Sequence, residues 1–278
     1  MKLFRHGPVG QERAGALDAQ GRRRDLSLLV PDLTPDWLSP QKLQALAAVD
    51  LTRLPLVADD ARIGVPVAGI RQFLAIGLNY RKHAEEAGLE LPVEPVMFTK
   101  ALTSLAGPDD AVALPEGSVQ GDWEIELGIV IGTQAQRVPV QAALSHVAGY
   151  VLANDVSERD WQIKRGGQWG KGKSFDGFGP VGPWLVTTDE LPDPQRIELR
   201  LEVNGELRQA SSTADMIFGA AEIVSYLSQF MTLLPGDLII TGTPAGVGLG
   251  MKPQQFLKRG DVMTLSGGVL GTQRQQVI

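Results

Sequence analysis

From Gly121 the chain reads GDWEIELGIVIG: acidic and apolar residues alternate through the first half, and the second half is almost wholly apolar. A period of two is the pattern of a β-strand. It puts Asp122, Glu124, Glu126 and Gly128 on one face, and Trp123, Ile125, Leu127, Ile129 and Ile131 on the other. Short apolar runs bounded by Gly and Pro predict further strands over 73–77, 149–154, 181–187, 197–203, 238–241 and 262–265. Asn204-Gly205, between LRLEV and ELRQA, predicts a hairpin turn, because both residues tolerate positive φ. A helical period runs over 217–230: Ile217, Ala220, Ala221, Val224, Leu227 and Phe230 share one face, and Asp215 is the expected cap. Ser39-Pro40 predicts a second helix start, with Leu43, Leu46 and Ala47 on its buried side. Before it, MKLFRHG, RAGALDA and RRRDLSLL predict short strands. Many strands and few helices imply a mainly β fold with α additions (α+β), not a doubly wound sheet. PLVADDARIGVPVAGI has no helical period and places a boundary near 66–69. A small N-terminal α/β domain over 1–68 and a larger catalytic domain over 69–278 are expected.

Composition narrows the chemistry. The absence of cysteine excludes disulfides, zinc–thiolate sites and thiol catalysis, and only His6, His83 and His146 supply imidazole. Any metal is therefore expected to be a hard cation held by oxygen. A net charge of −6 argues against nucleic acid as partner. The basic run Arg22-Arg23-Arg24 is expected on a solvated turn. No apolar stretch approaches the roughly 20 residues of a membrane span, and the start lacks the apolar centre of a secretory signal. The cytosol is the expected location.

The acidic face of 122–126 has two readings. It could be the wet side of an amphipathic strand. Yet neighbouring like charges repel, and carboxylates gathered at the rim of a core need a cation. Asn154-Asp155 follows the next strand, where Asp155 could add a third carboxylate or merely form a turn or cap. Arg159 and Asp160 could support a site or form a surface pair. GQWGKGKS at 167–174 matches a phosphate-binding P-loop in letters, but no apolar strand precedes it and no good helix former follows. What remains is an exposed Gly-rich loop presenting Lys173. His83 and Glu86 are three apart, so a short helix would put them on one face, as a base and its orienting carboxylate would require. The Gly/Pro-punctuated segment after them suits a mobile lid.

GLNYRKHAEE, GDWEIELGIVIG, NDVSERDWQ, GKGKSFDGFGPVGPW and LLPGDLIITGTPAGVG, in that order, resemble the fumarylacetoacetate hydrolase family over about residues 71–265. The resemblance implies a mixed β-sandwich roll, an Mg²⁺ or Mn²⁺ cofactor and a homodimer or higher homo-oligomer. It implies Glu124, Glu126 and Asp155 as metal ligands, with Asp122 behind them. It also implies His83 and Glu86 as the water-activating pair on a lid, Lys173 as a catalytic lysine, and Gln162 and Thr243 as substrate contacts; Lys100 is a further pocket candidate. The implied substrate is a small α-keto acid, an acylpyruvate cleaved at a carbon–carbon bond. The stretch GGQWGKGKSFDGFGPVGPW is most similar to hydrolases of 2,4-diketo-3-deoxy-L-rhamnonate and L-fuconate, although Gly177 stands where many relatives have Thr. Oxaloacetate decarboxylation, fumarylpyruvate hydrolysis and dienoate isomerisation are alternatives on the same scaffold.

Overall fold

The computed structural model describes residues 1–278. In chain order the main elements are β1 (Lys2–His6), β2 (Arg13–Leu17), β3 (Arg23–Asp25), α1 (Pro40–Ala47), β4 (Phe73–Gly77), α2 (Arg81–Ala87), β5 (Val96–Thr99), β6 (Ile125–Ile131) and β7 (Val147–Asn154). They continue with α3 (Trp169–Lys173), β8 (Leu185–Thr187), β9 (Glu198–Val203), β10 (Glu206–Ser212), α4 (Ala220–Phe230), β11 (Leu238–Ile240), β12 (Val262–Ser266) and β13 (Thr272–Gln276).

One large sheet runs in the order β3-β2-β1-β8-β7-β6-β11-β4-β5. Its pairs are antiparallel except β11 with β4. A second, four-stranded antiparallel sheet runs β10-β9-β12-β13. The fold is thus mainly β with few helices. The N-terminal strands join the rest through the sheet itself, where Lys2 and Leu3 pair with Val186 and Leu185. No helix is long and apolar enough to cross a membrane.

The central pair β6–β7 is buried on both faces, and alternation sorts its side chains between two cores. Ile125, Leu127, Ile129 and Ile131 join Tyr150 and Leu152 in the core shared with the four-stranded sheet and α4. Val130, Val151 and Ala153 face the other core, with Leu3, Phe73 and Leu238. Glu124 and Glu126 belong to this second face by parity. The alternation predicted for 122–131 therefore describes two buried faces, and the reading of its acids as a solvated face is excluded.

Local details correct other expectations. The long helix begins at Ala220, capped from Gly219 with Glu222 accepting the Gly219 N–H at 2.7 Å. Asp215 lies outside it and accepts the Ser211 hydroxyl. The physical reason is Asn79: its carbonyl and side-chain oxygen each accept, at 2.8 Å, from the Ile217 and Phe218 N–H groups, holding them out of helical geometry. Arg24 is not on a solvated turn; it is buried in β3 and donates to Asp18 at 2.8 Å. The Ser39 cap on α1 and the Asn204-Gly205 hairpin, with φ of +53° and +78°, form as the sequence predicts.

Candidate active site

The acids cluster where the second face of β6–β7 leaves its apolar core. Glu126 pairs across the ladder with Ala153, and the Asp155 N–H donates to the Glu124 carbonyl at 2.8 Å. This register brings carboxylate oxygens of Glu124, Glu126 and Asp155 within 4.8 Å of one another, all buried. Sequence spacing alone joins the two glutamates; the strand pairing adds Asp155.

Three buried cations surround them. Lys173 Nζ lies 2.5 Å from Glu124 and 2.7 Å from Asp155. Lys100 Nζ meets the other Asp155 oxygen at 2.6 Å and also donates to the Lys173 carbonyl. Arg159 bridges Glu124 (2.7 Å) and Asp122 (2.8 Å by Nε). Burial raises the pKa of the Glu124 carboxyl, but Lys173 and Arg159 outweigh it and hold the group at about 2. Glu126 accepts the Gly242 N–H at 2.7 Å and has no cation of its own. Burial, together with Asp155 and Glu124, pushes its pKa well above the ordinary glutamate value. The two lysines differ as well. Burial works against both ammonium groups; it prevails at Lys100, whereas Asp155 and Glu124 prevail at Lys173 and raise its pKa.

Lys173 is thus not on the exposed loop expected of it. It closes the short helix α3 and is 2 % exposed. A wide helical turn, Asp160–Lys164, precedes the Gly-rich segment in place of an apolar strand. The P-loop reading therefore has no structural counterpart.

His83 and Glu86 lie on α2 and share a face, with His83 Nδ1 3.2 Å from Glu86 Oε2. A cavity of about 540 Å³ is lined by this pair, by the three carboxylates, and by Arg159, Gln162, Lys173 and Thr243. Phe98, Trp169, Leu249 and Met251 supply apolar wall. The fold brings every predicted site residue to this one space. Lys100 and Asp122 sit behind it as supports. Thr243 is constrained: its hydroxyl donates to the Ile125 carbonyl (2.9 Å) and accepts from Gln209 (2.8 Å), so it has only a lone pair left to offer. Sequence reading left Arg159 as either support or a surface pair, and the structure makes it a buried support. It missed the backbone donors Gly242 and Gly246, which carry no side-chain signal, and the Trp169 wall, since a lone aromatic in a Gly-rich run points to no particular contact.

Residues 72–278 match the family model "Fumarylacetoacetate (FAA) hydrolase C-terminal". The chain belongs to the fumarylacetoacetate hydrolase family. A Burkholderia ambifaria protein named "Putative hydrolase" is 56% identical to it over 99% of this chain and 98% of its own length. Among solved structures, fumarylacetoacetate hydrolase from Exiguobacterium antarcticum is 38% identical with a TM-score of 0.88, covering 100% of this chain and 99% of its own. A 2-hydroxyhepta-2,4-diene-1,7-dioate isomerase from Mycobacterium marinum is 32% identical with a TM-score of 0.75, over 100% of this chain and 98% of its own. The family includes enzymes named for hydrolysis and for isomerisation, and an enzyme of this kind is what the chain encodes.

The donor set fits a divalent ion. It consists only of carboxylate oxygens, the ligands of hard cations. Around it, Asp122, Glu124, Glu126 and Asp155 outnumber Lys100, Arg159 and Lys173, and the acid without a cationic partner, Glu126, is itself in the triad.

Proposed function

We propose that this family member is a metal-dependent hydrolase that cleaves the carbon–carbon bond of an acylpyruvate. Its substrate in this reading is a 2,4-diketo-3-deoxy sugar acid of the L-rhamnonate or L-fuconate series, giving pyruvate and L-lactate in the cytosol. One observation carries the reaction class: an imidazole–carboxylate pair, a buried lysine and a carboxylate triad line the same cavity. The narrower substrate rests on the similarity of residues 166–184 to those enzymes.

Glu124, Glu126 and Asp155 would hold Mg²⁺ or Mn²⁺, which when bound supplies Lewis-acid stabilisation to the α-keto acid end of the substrate. Glu86 faces His83 Nδ1. It therefore selects the tautomer with Nδ1–H, leaving Nε2 as the proton acceptor. His83 takes a proton from water, and the water oxygen adds to the distal carbonyl. Lys173 uses two N–H groups on Glu124 and Asp155. Its third is free to stabilise the developing oxyanion. The Gln162 side-chain oxygen accepts from Arg159 at 2.9 Å, so its NH₂ is the donor available to substrate. As the carbon–carbon bond breaks, its electron pair leaves on the pyruvyl carbon as an enolate, and protonation there completes the overall addition of water.

Acylpyruvates, 2,4-diketo-3-deoxy sugar acids and oxaloacetate, incubated with Mg²⁺ or Mn²⁺, test this through pyruvate release. Release from the sugar acids at a kcat/KM above that for other acylpyruvates is expected; release from oxaloacetate alone would replace hydrolysis by decarboxylation. The similarity to a dienedioate isomerase supports a second reading, proton transfer without cleavage. It predicts an absorbance change with a dienedioate and no pyruvate. We also propose a homodimer, to be checked by light scattering.

A further inference from the structure

The cage and the base lie on separate elements, and only a precise mutual placement makes them one site. A strap over residues 246–250 connects them. On one side it is tied to the dipeptide that precedes the cage. Asp122 accepts the Gly248 N–H at 2.7 Å and the Leu249 N–H at 3.0 Å, and the Trp123 indole N–H donates to the Gly246 carbonyl at 3.0 Å. On the other side the strap holds the dyad. The Gly246 N–H donates to Glu86 at 3.0 Å, and Glu86 in turn faces His83. Gly246 is therefore engaged on both sides of its Cα, its carbonyl by Trp123 and its N–H by Glu86.

The strap has little freedom to move. Gly246 has φ of +106°, and a Cβ there would lie 2.0 Å from the Arg208 carbonyl. A Cβ on Gly250 would lie 2.3 Å from the Glu86 carboxyl carbon. Asp122 and Trp123 are themselves buried, and Asp122 is also tied to Arg159, which reaches Glu124.

We infer that Asp122 and Trp123 are positioning residues for the His83–Glu86 pair, acting through the strap. GDWEIE then serves both halves of the site: Asp-Trp sets the base, and Glu-Ile-Glu forms the cage. Trp123 touches no substrate in this scheme. It fixes the glycine whose N–H holds Glu86, and so the tautomer and direction of His83. The inference rests on His83 being the base.

Trp123→Phe keeps an aromatic ring in the core and removes the one donor to Gly246. With the Mg²⁺-loaded enzyme, kcat for pyruvate release should fall about tenfold, inside the roughly hundredfold that a 1 Å misplacement costs. KM and Mg²⁺ affinity should be unchanged. In a Glu86→Gln background the same substitution should produce no further fall. An equal fall in both backgrounds, or weakened Mg²⁺ binding, would overturn the inference. ¹⁵N NMR of the His83 ring gives a readout independent of turnover: Nδ1–H in the parent, a mixture of tautomers in Trp123→Phe. An unchanged ring spectrum also overturns it, whereas inactivity of the parent on every acylpyruvate would sink the proposed reaction and leave this readout intact. Should Trp123→Phe not fold, Gly250→Ala tests the same link from the strap side. It should lower kcat and disturb the His83 spectrum without changing Mg²⁺ affinity; an undisturbed spectrum overturns the link.

Discussion

The carboxylate cage and the His83–Glu86 pair are held by different means. The cage sits at the adjoining ends of two central strands buried on both faces, so the sheet ladder sets its geometry. Two of its acids, Glu124 and Asp155, are also locked by Lys100, Lys173 and Arg159. The pair sits on a seven-residue helix at the cavity edge, and both side chains keep some exposure. That helix is too short to be stable alone. A helix C-cap at Gly88 and the backbone amide of Gly246 help hold it. Charge is thus held by buried strands and ion pairs, while the proton-accepting group sits on a short helix held by its C-cap and by the Gly246 N–H.

If this division is right, changes in the two regions should separate binding from turnover. The largest effect belongs to the cage: Glu124→Ala should reduce metal-dependent pyruvate release to background and abolish saturable Mg²⁺ binding in calorimetry. Persistent activity after metal stripping would remove the cage from the chemistry. Next, His83→Ala should lower kcat by about 10²–10⁴ with Mg²⁺ affinity retained; an unchanged rate would exclude His83 as base. Glu86→Gln is expected to cost roughly 10–100-fold in kcat, as loss of an orienting partner does at comparable sites.

The smallest effect is on stability, and its sign sharpens the contrast. Glu126 has a folded pKa above its ordinary value, so its favourable contribution is full below about pH 4.5 and is lost as pH rises through the folded value. Ionising this buried carboxyl without metal therefore costs stability. Glu126→Gln should raise the Tm of chelator-treated protein by a few degrees, roughly 2–4 °C for each kcal/mol relieved, while abolishing Mg²⁺ binding. Glu124 behaves oppositely: held at about 2, its contribution is present above about pH 4.5 and lost as pH falls toward 2. A Tm of metal-free Glu126→Gln below that of the parent would show that the cage is not the site of stored repulsion.

The sequence by itself determined most of the strands, part of the long helix's buried face and the turn, because period-two and period-3.6 patterns and Asn-Gly chemistry are local; Ala47 and Phe230, assigned to buried faces, are exposed. It also determined which residue types could do the chemistry, and five ordered motifs pointed to the family that the full-length comparisons then established. It misjudged what lies opposite a residue. Asp215 looked like a cap until Asn79 was seen pulling 217–218 out of the helix. Lys173 looked exposed because glycines suggest a loop, yet α3 packs it between two carboxylates. Local pattern likewise could not say whether the acids of GDWEIE face water or protein. Only tertiary structure decided that: β7 laid Asp155 beside Glu124, three distant cations closed around them, and the 246–250 strap reached from Asp122 to Glu86. These are contacts between residues tens to more than a hundred positions apart, and their electrostatics depends on burial that no single stretch of chain encodes.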